Sequence, residues 1–248
     1  MGYKFSSPGM AGYPNIERKL AAAAGLASGV VPGMIAQADD KVFGGGEFIF
    51  ARANGAIRQY GLCVLTPVWD ATNLLYTINA TECPNTANLG RALAVAQCVG
   101  AMASGEYGWF MYSGNTPVNG TATVAVDTTA GITAAGQIGA NTAGKQILNA
   151  RVGGTATRTL AKAATGLNGD TRINVVTTDG WWVGGYLSGT GVGASAIIGD
   201  IDPMGKYVIA TVANSADIAG SVTQTDNNAT IFYNVLHMNR AFAQGAIT

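Results

Sequence analysis

Gly105-Glu-Tyr-Gly-Trp-Phe-Met-Tyr-Ser-Gly-Asn-Thr-Pro-Val-Asn-Gly120 sets Tyr107, Trp109, Phe110 and Tyr112 between glycines and then turns polar. Aromatic side chains suit the pleated, half-buried surface of a strand, and Gly, Ser, Asn and Pro at its ends supply turns. The stretch predicts a strand over 107–113 closed by a Ser-Gly turn. It holds no nucleophile beside a base, so Tyr107, Trp109 and Phe110 read as core or interface anchors.

The flanking sequence repeats this architecture. Phe48 and Phe50 mark a strand over 47–53, and Asn54-Gly55 is a strong hairpin signal. A return strand over 56–66 should stop at Pro67, and another follows around Leu74, Tyr76 and Ile78. Residues 91–103 suit a helix by composition; Val95, Val99 and direct continuity with the aromatic stretch favour a strand. A strand is expected over 121–126, a loop with one weak strand over 130–144, and a polar, small-residue segment over 146–169. Further strands are predicted at 172–177, 181–187, 196–201, 206–213, 221–224 and 229–239. Turn signals at roughly 8–12-residue spacing, without helix–strand alternation, imply an all-β jelly roll or β-barrel/sandwich.

Before these strands lies an extended N-terminal arm, 1–40, with a short helix over 16–26. Asn15 is its cap, Ala21–Ala24 are strong helix formers, and Gly29 and Pro32-Gly33 stop it. Arg18-Lys19 before an Ala-rich run imitates a signal peptide. Gly25, Gly29 and Gly33 interrupt that run, so a retained arm lying across a neighbouring subunit is expected. The expected organisation is the arm 1–40, a barrel or sandwich core 41–145, and 146–248 as a second β-rich module or a continuation of the same barrel.

Composition narrows the function. Charged residues make up 11% of the 248 residues, the formal net charge is zero, and 35 residues are glycine. A free soluble surface usually carries more charge. A near-neutral Gly/Ala/Thr/Asn surface suits burial in an assembly. With no basic excess to neutralise phosphates, nucleic acid is not an expected partner. No run of 18 apolar residues occurs, so no membrane partner is expected. The odd count of cysteines, Cys63, Cys83 and Cys98, favours reduced thiols and cytoplasmic synthesis; a Cys63–Cys98 or Cys83–Cys98 bridge stays open.

No pattern of catalytic residues emerges. Gly139-Ala-Asn-Thr-Ala-Gly-Lys145-Gln146 lacks the Ser or Thr that a phosphate loop needs after its lysine, and reads as a flexible loop. Gly189-Thr-Gly191-Val-Gly193 has the wrong spacing for a dinucleotide fingerprint and reads as a glycine turn. Ser195 lacks the second glycine of a nucleophile elbow. His237 is the only histidine, which rules out a multi-histidine zinc site. Asp200 and Asp202 would share one face of a strand, but Asp202-Pro203 favours a turn. Trp181, Trp182 and Tyr186 could meet a sugar. Adjacent tryptophans on a strand face opposite ways, so one core anchor and one interface anchor are expected. No catalytic residue, cofactor or metal ligand is therefore assigned, and the chain is not read as an enzyme.

Two stretches resemble tailed-bacteriophage virion proteins, chiefly those that cement or decorate the capsid. One is Phe43-Gly-Gly-Gly-Glu-Phe-Ile-Phe-Ala-Arg-Ala53 with Arg91–Ser104 and Gly105-Glu-Tyr-Gly-Trp-Phe-Met-Tyr-Ser-Gly114. The other is Gly184-Gly-Tyr-Leu-Ser-Gly-Thr-Gly-Val192 with Ile197-Ile-Gly-Asp-Ile-Asp-Pro-Met-Gly-Lys206. The resemblance implies a barrel or jelly-roll-like fold, no catalysis, and a place on the virion's capsid exterior. The implied partners are the major capsid protein and further copies of the chain, as a dimer or trimer. Two alternatives accompany it: a head-fibre or tail component binding cell-surface glycan, and a major capsid protein, which should show a long helix.

Overall fold

The computed structural model describes residues 4–6, 14–27, 29–40, 42–71, 74–155, 159–225 and 232–245. The chain forms two compact units. The larger comprises Tyr3–Asp39, Phe43–Ala156 and Ile231–Thr248; the smaller comprises Thr157–Thr230 with Asp40–Val42. Both are built from strands, as an all-β barrel fold requires.

The larger unit contains β1 (Lys4–Phe5), α1 (Ala22–Ala27), β2 (Ile35–Asp40), β3 (Gly44–Ala53), β4 (Leu62–Asp70) and β5 (Leu75–Glu82). It continues through β6 (Leu93–Ala96), β7 (Tyr107–Gly120), β8 (Ala130–Ala134), β9 (Gln137–Ala140) and β10 (Ile147–Thr155). The smaller unit holds β11 (Thr159–Gly166), β12 (Arg172–Val175), β13 (Tyr186–Ser188), β14 (Ile198–Ile201), β15 (Tyr207–Ala210) and β16 (Ile218–Thr225). The chain then returns to the larger unit as β17 (Phe232–Ala243).

In the larger unit β3, β5, β4, β6 and β7 pair in that order, and β7 pairs back to β3. The ring is closed, so these strands leave few open edges. Its interior is small: Ile49, Ala51 and Ala53 from β3, Cys63 and Leu65 from β4, Ala80 from β5, Ala94 and Ala96 from β6, and Phe110 from β7. Period-two alternation explains the Tyr107-Gly108-Trp109-Phe110 sequence. Gly108 and Phe110 point inward. A Cβ at Gly108 would overlap Cys98 Sγ, so glycine is needed there.

Tyr107 and Trp109 point outward, yet both are buried, because the N-terminal segment covers them. Phe5 meets the Trp109 ring edge-on at 5.4 Å, and Trp109 Nε1 donates to the Pro14 carbonyl at 3.1 Å. Leu20 bridges Tyr107, and Gly25 of α1 lies against the Tyr107 ring, where a Cβ would overlap it. The described residues up to Gly25 of the arm expected to lie across a neighbouring subunit are therefore a lid on their own barrel. The helix is shorter than 16–26 because Leu20 is held in a bridge to β7, so coiling starts at Ala22.

Three further expectations need correction. The Ser113-Gly114 turn is absent: β7 runs on to Gly120, because β17 pairs with it from Ser113 to Gly120. Pro67 does not stop β4. Leu65 N–H reaches the Ala92 carbonyl, and two residues further on the same edge no strand follows, so a missing N–H leaves nothing unpaired. Residues 121–126 form no strand; Asn234 Oδ1 accepts the Val124 N–H and its Nδ2 donates to the Ala122 carbonyl, which pins the segment as a loop.

The smaller unit orders its strands β13-β16-β11-β12-β15-β14. Gly184 N–H to Ile198 O (2.7 Å), Ile198 N–H to Gly185 O (2.9 Å) and Leu187 N–H to Ala196 O (2.8 Å) join β14 back to β13. This closes a second barrel around Ala164, Ile173, Leu187, Ile198, Val208 and Val222. Its ends mark a division unlike the 145/146 boundary read from sequence. The chain leaves the larger unit after β10 and re-enters at β17, where Thr155 and Asn234 are paired neighbours. The smaller barrel is thus an insertion in a hairpin, not a C-terminal module.

Candidate interaction surface

The sequence-derived anchors are mostly core. Trp109 and Phe110 are fully buried, and Tyr107 nearly so. Trp181 and Trp182 precede β13 and do not lie on a strand, so strand alternation does not split them into a core and an interface anchor; both are buried, at 1% and 2% exposure. Trp181 Nε1 donates to the Leu160 carbonyl at 3.1 Å. Tyr186 is partly exposed at the barrel seam, bridged to Ile197. No tryptophan face is left at 181–182 for a sugar.

The polar candidates resolve into turns and pairs. Asp202 and Gly205 bound the β14–β15 turn: Gly205 N–H donates to Asp202 O at 2.8 Å, and the Asp202 carboxylate accepts the Lys206 N–H at 3.0 Å. Asp200 bonds the Ile201 N–H beside it. An open depression of about 440 Å³ contains Asp179, Asp202, Thr178 and Met204, with no histidine, cysteine or serine among its lining residues. His237 Nδ1 lies 2.9 Å from Asn115 Oδ1 on the exposed face of the β7–β17 pair. Lys145 Nζ donates to Asn85 Oδ1 at 2.9 Å, and β10, not a helix, follows Gln146. Ser195 sits in a loop at φ 58°.

The three cysteines are free and buried. Burial pushes the Cys83 and Cys98 thiols up to about 12, and lifts Cys63 well above the ordinary range with help from the nearby Glu82 charge. Thiols held protonated are poor nucleophiles. Among the described residues, no three His, Cys, Asp or Glu side chains are grouped as metal ligands, and no helix is long and apolar enough to cross a membrane.

One feature stands apart: the far end of the β4–β5 hairpin. Trp69 pairs with Tyr76, Pro67 with Ile78 and Leu65 with Ala80, so all six lie on one face. At Leu65 and Ala80 that face is barrel core. Further out it leaves the barrel. β6 pairs with β4 no further than Val64, and β3 touches β5 only at Asn79 and Ala80. The core-type pattern nevertheless continues, with Trp69 49% and Tyr76 72% exposed on this face; Val68 on the opposite face is 37% exposed and Leu74 at the turn 75%. The two aromatic rings meet edge-to-face at 5.1 Å. Leu74 is also held at φ 54°, a left-handed backbone that is costly for a leucine. Sequence reading ended one strand at Pro67 and took Trp69 to Ile78 as a single further strand; the chain instead continues β4 through Pro67 to Asp70 and returns as β5 from Leu75, which sets Trp69 and Tyr76 side by side.

No family model, no curated protein and no solved structure matches this chain.

Proposed function

We propose that the protein is a virion structural protein of a tailed bacteriophage, a cement or decoration protein that stabilises the capsid shell from outside. The observation that carries this reading is the apolar β4–β5 hairpin tip projecting from the closed barrel of the larger unit. Exposed contiguous apolar surface of this kind marks an interaction site. The low charge of the chain and the protonated, unreactive thiols support a scaffold more than a catalyst. A ligand that binds the assembled shell and not its separated subunits stabilises the shell in proportion to occupancy. The major capsid protein and further copies of this chain are its partners.

The test is co-sedimentation with shells of the cognate capsid protein, with shell melting followed as occupancy rises. Binding with a raised melting temperature is expected. No binding to shells, or equal binding to free subunits, overturns the proposal. The glycan-binding alternative has lost its Trp181 face; it would now require sugar to quench Trp69. The major-capsid alternative is less favoured, since the described helix spans only six residues, Ala22–Ala27.

A further inference from the structure

We infer that the β4–β5 hairpin is a self-association surface: its exposed face packs on the same face of a second copy about a two-fold axis. The inference rests on the assembly reading above and names its partner.

Three observations point to a second copy. The first is area. Trp69 and Tyr76 on this face, with Leu74 at the turn beside it, together leave on the order of 400 Å² in water, in the range of the largest apolar patches on monomers. Exposed Pro67 and the partly exposed Ile78 on the same face bring two facing copies to the roughly 1,000 Å² in total that a specific interface must clear. The second is symmetry. An antiparallel hairpin carrying a cross-strand aromatic pair looks similar after a half-turn. Trp69 of one copy can therefore lie over Tyr76 of the other, and the same pair forms again across the axis. The third is charge. Asp70 is the one charged residue among the described residues 66–71 and 74–78, so a self-contact brings no cluster of like charges together.

The hairpin's open edge argues for face packing over strand addition. Pro67 stands at an outward edge position of β4, where it offers no N–H to an incoming strand. Leu74 adds a reason for the contact. A left-handed leucine pushed into water is unfavourable twice over in the isolated chain, and burial in a partner removes the second cost.

The experiment measures mass by sedimentation over a concentration series. Wild type is expected at twice 25.2 kDa. The Trp69→Ser/Tyr76→Ser variant is expected at the monomer mass, with its dissociation constant raised at least about 100-fold. Tyr76→Asp, which sets an unpaired carboxylate against the negative face of the partner's Trp69 ring, should act in the same direction if the double variant folds poorly. Val176→Ser, an exposed apolar residue of the smaller barrel, should leave the mass unchanged. A wild type that stays monomeric, or folded hairpin variants that keep the wild-type mass, overturns the inference. Shell co-sedimentation of the same proteins separates the two claims. Wild type that dimerises through the hairpin yet ignores shells upholds this inference and overturns the virion reading. Shell binding by a chain whose mass never depends on the hairpin does the reverse.

Discussion

The two barrels solve one problem in different ways. The larger fills its interior with Ala, Cys, a few Ile, Leu and Met side chains and one Phe, and turns Tyr107, Trp109, Phe48 and Phe50 outward under a lid made by its own N-terminal segment. Phe50 stacks on Tyr107 at 5.9 Å and meets Trp109 at 5.1 Å. The smaller shows no such lid among the described residues. It closes on itself, buries Trp181 and Trp182 from a loop, and keeps small uncharged side chains such as Ala161, Ala163, Thr165, Ala219 and Ser221 outside. A narrow barrel cannot hold its aromatics inside, so they need a second layer; that layer comes from sequence far from the strands. The larger unit should therefore depend heavily on distant N-terminal residues, and the smaller chiefly on its own strands with the short Asp40–Val42 segment.

The strongest way to break this contrast is Trp109→Ala. It removes a fully buried ring and an anchor for Phe5 and Pro14, at about 3–5 kcal/mol. Hydrogen exchange read segment by segment should show faster exchange in β3, β7 and the N-terminal segment, with β11–β16 unchanged; a uniform loss would mean the barrels are not independent. Gly25→Ala is gentler. Its methyl group would meet the Tyr107 ring, so the lid must shift, at roughly 1–3 kcal/mol. Urea unfolding should detect the loss, and an unchanged midpoint would show that the lid contributes little.

Alkaline pH sharpens the same contrast, because all three cysteines lie in the larger unit. Their folded pKa values are raised, so the stabilising effect is complete below the ordinary thiol value of 9.0. For Cys83 and Cys98 it is lost as pH rises from there to about 12. At pH 10 the loss is on the order of 1 kcal/mol per thiol. Thiol labelling near pH 8 should be negligible in the native protein and complete in urea. The smallest effect is expected from excision. Replacing 156–231 by a Gly/Ser turn of about four residues should leave the larger unit's unfolding midpoint nearly unchanged, since β10 and β17 are already paired at Thr155 and Asn234. A collapse of that transition would show that the inserted barrel supports its host.

Much of the strand content was legible. Aromatic and β-branched alternation marked most of β3, β7 and β12 and the described part of 229–239 in β17, and Asp202-Pro203 was a turn in sequence and in structure. Strands β10 and β11 were missed because Ala, Gly and Thr give little apolar contrast; long-range pairing with β17 and β16 makes them strands. The hairpin surface was missed for another reason. Trp69 and Tyr76 have the same local pattern as Leu65 and Ala80, and only the extent of β6 and β3 separates exposed from buried.

By itself the sequence determined that this is a charge-poor all-β chain with aromatic strands, because side-chain shape and period-two alternation act within a few residues. The tertiary structure alone decided how those strands are used. It turned the N-terminal segment into a lid, placed one barrel inside a hairpin of the other, and put Trp109 in the core but Trp69 in water. Each outcome depends on pairing between residues far apart in the chain, which no local pattern encodes.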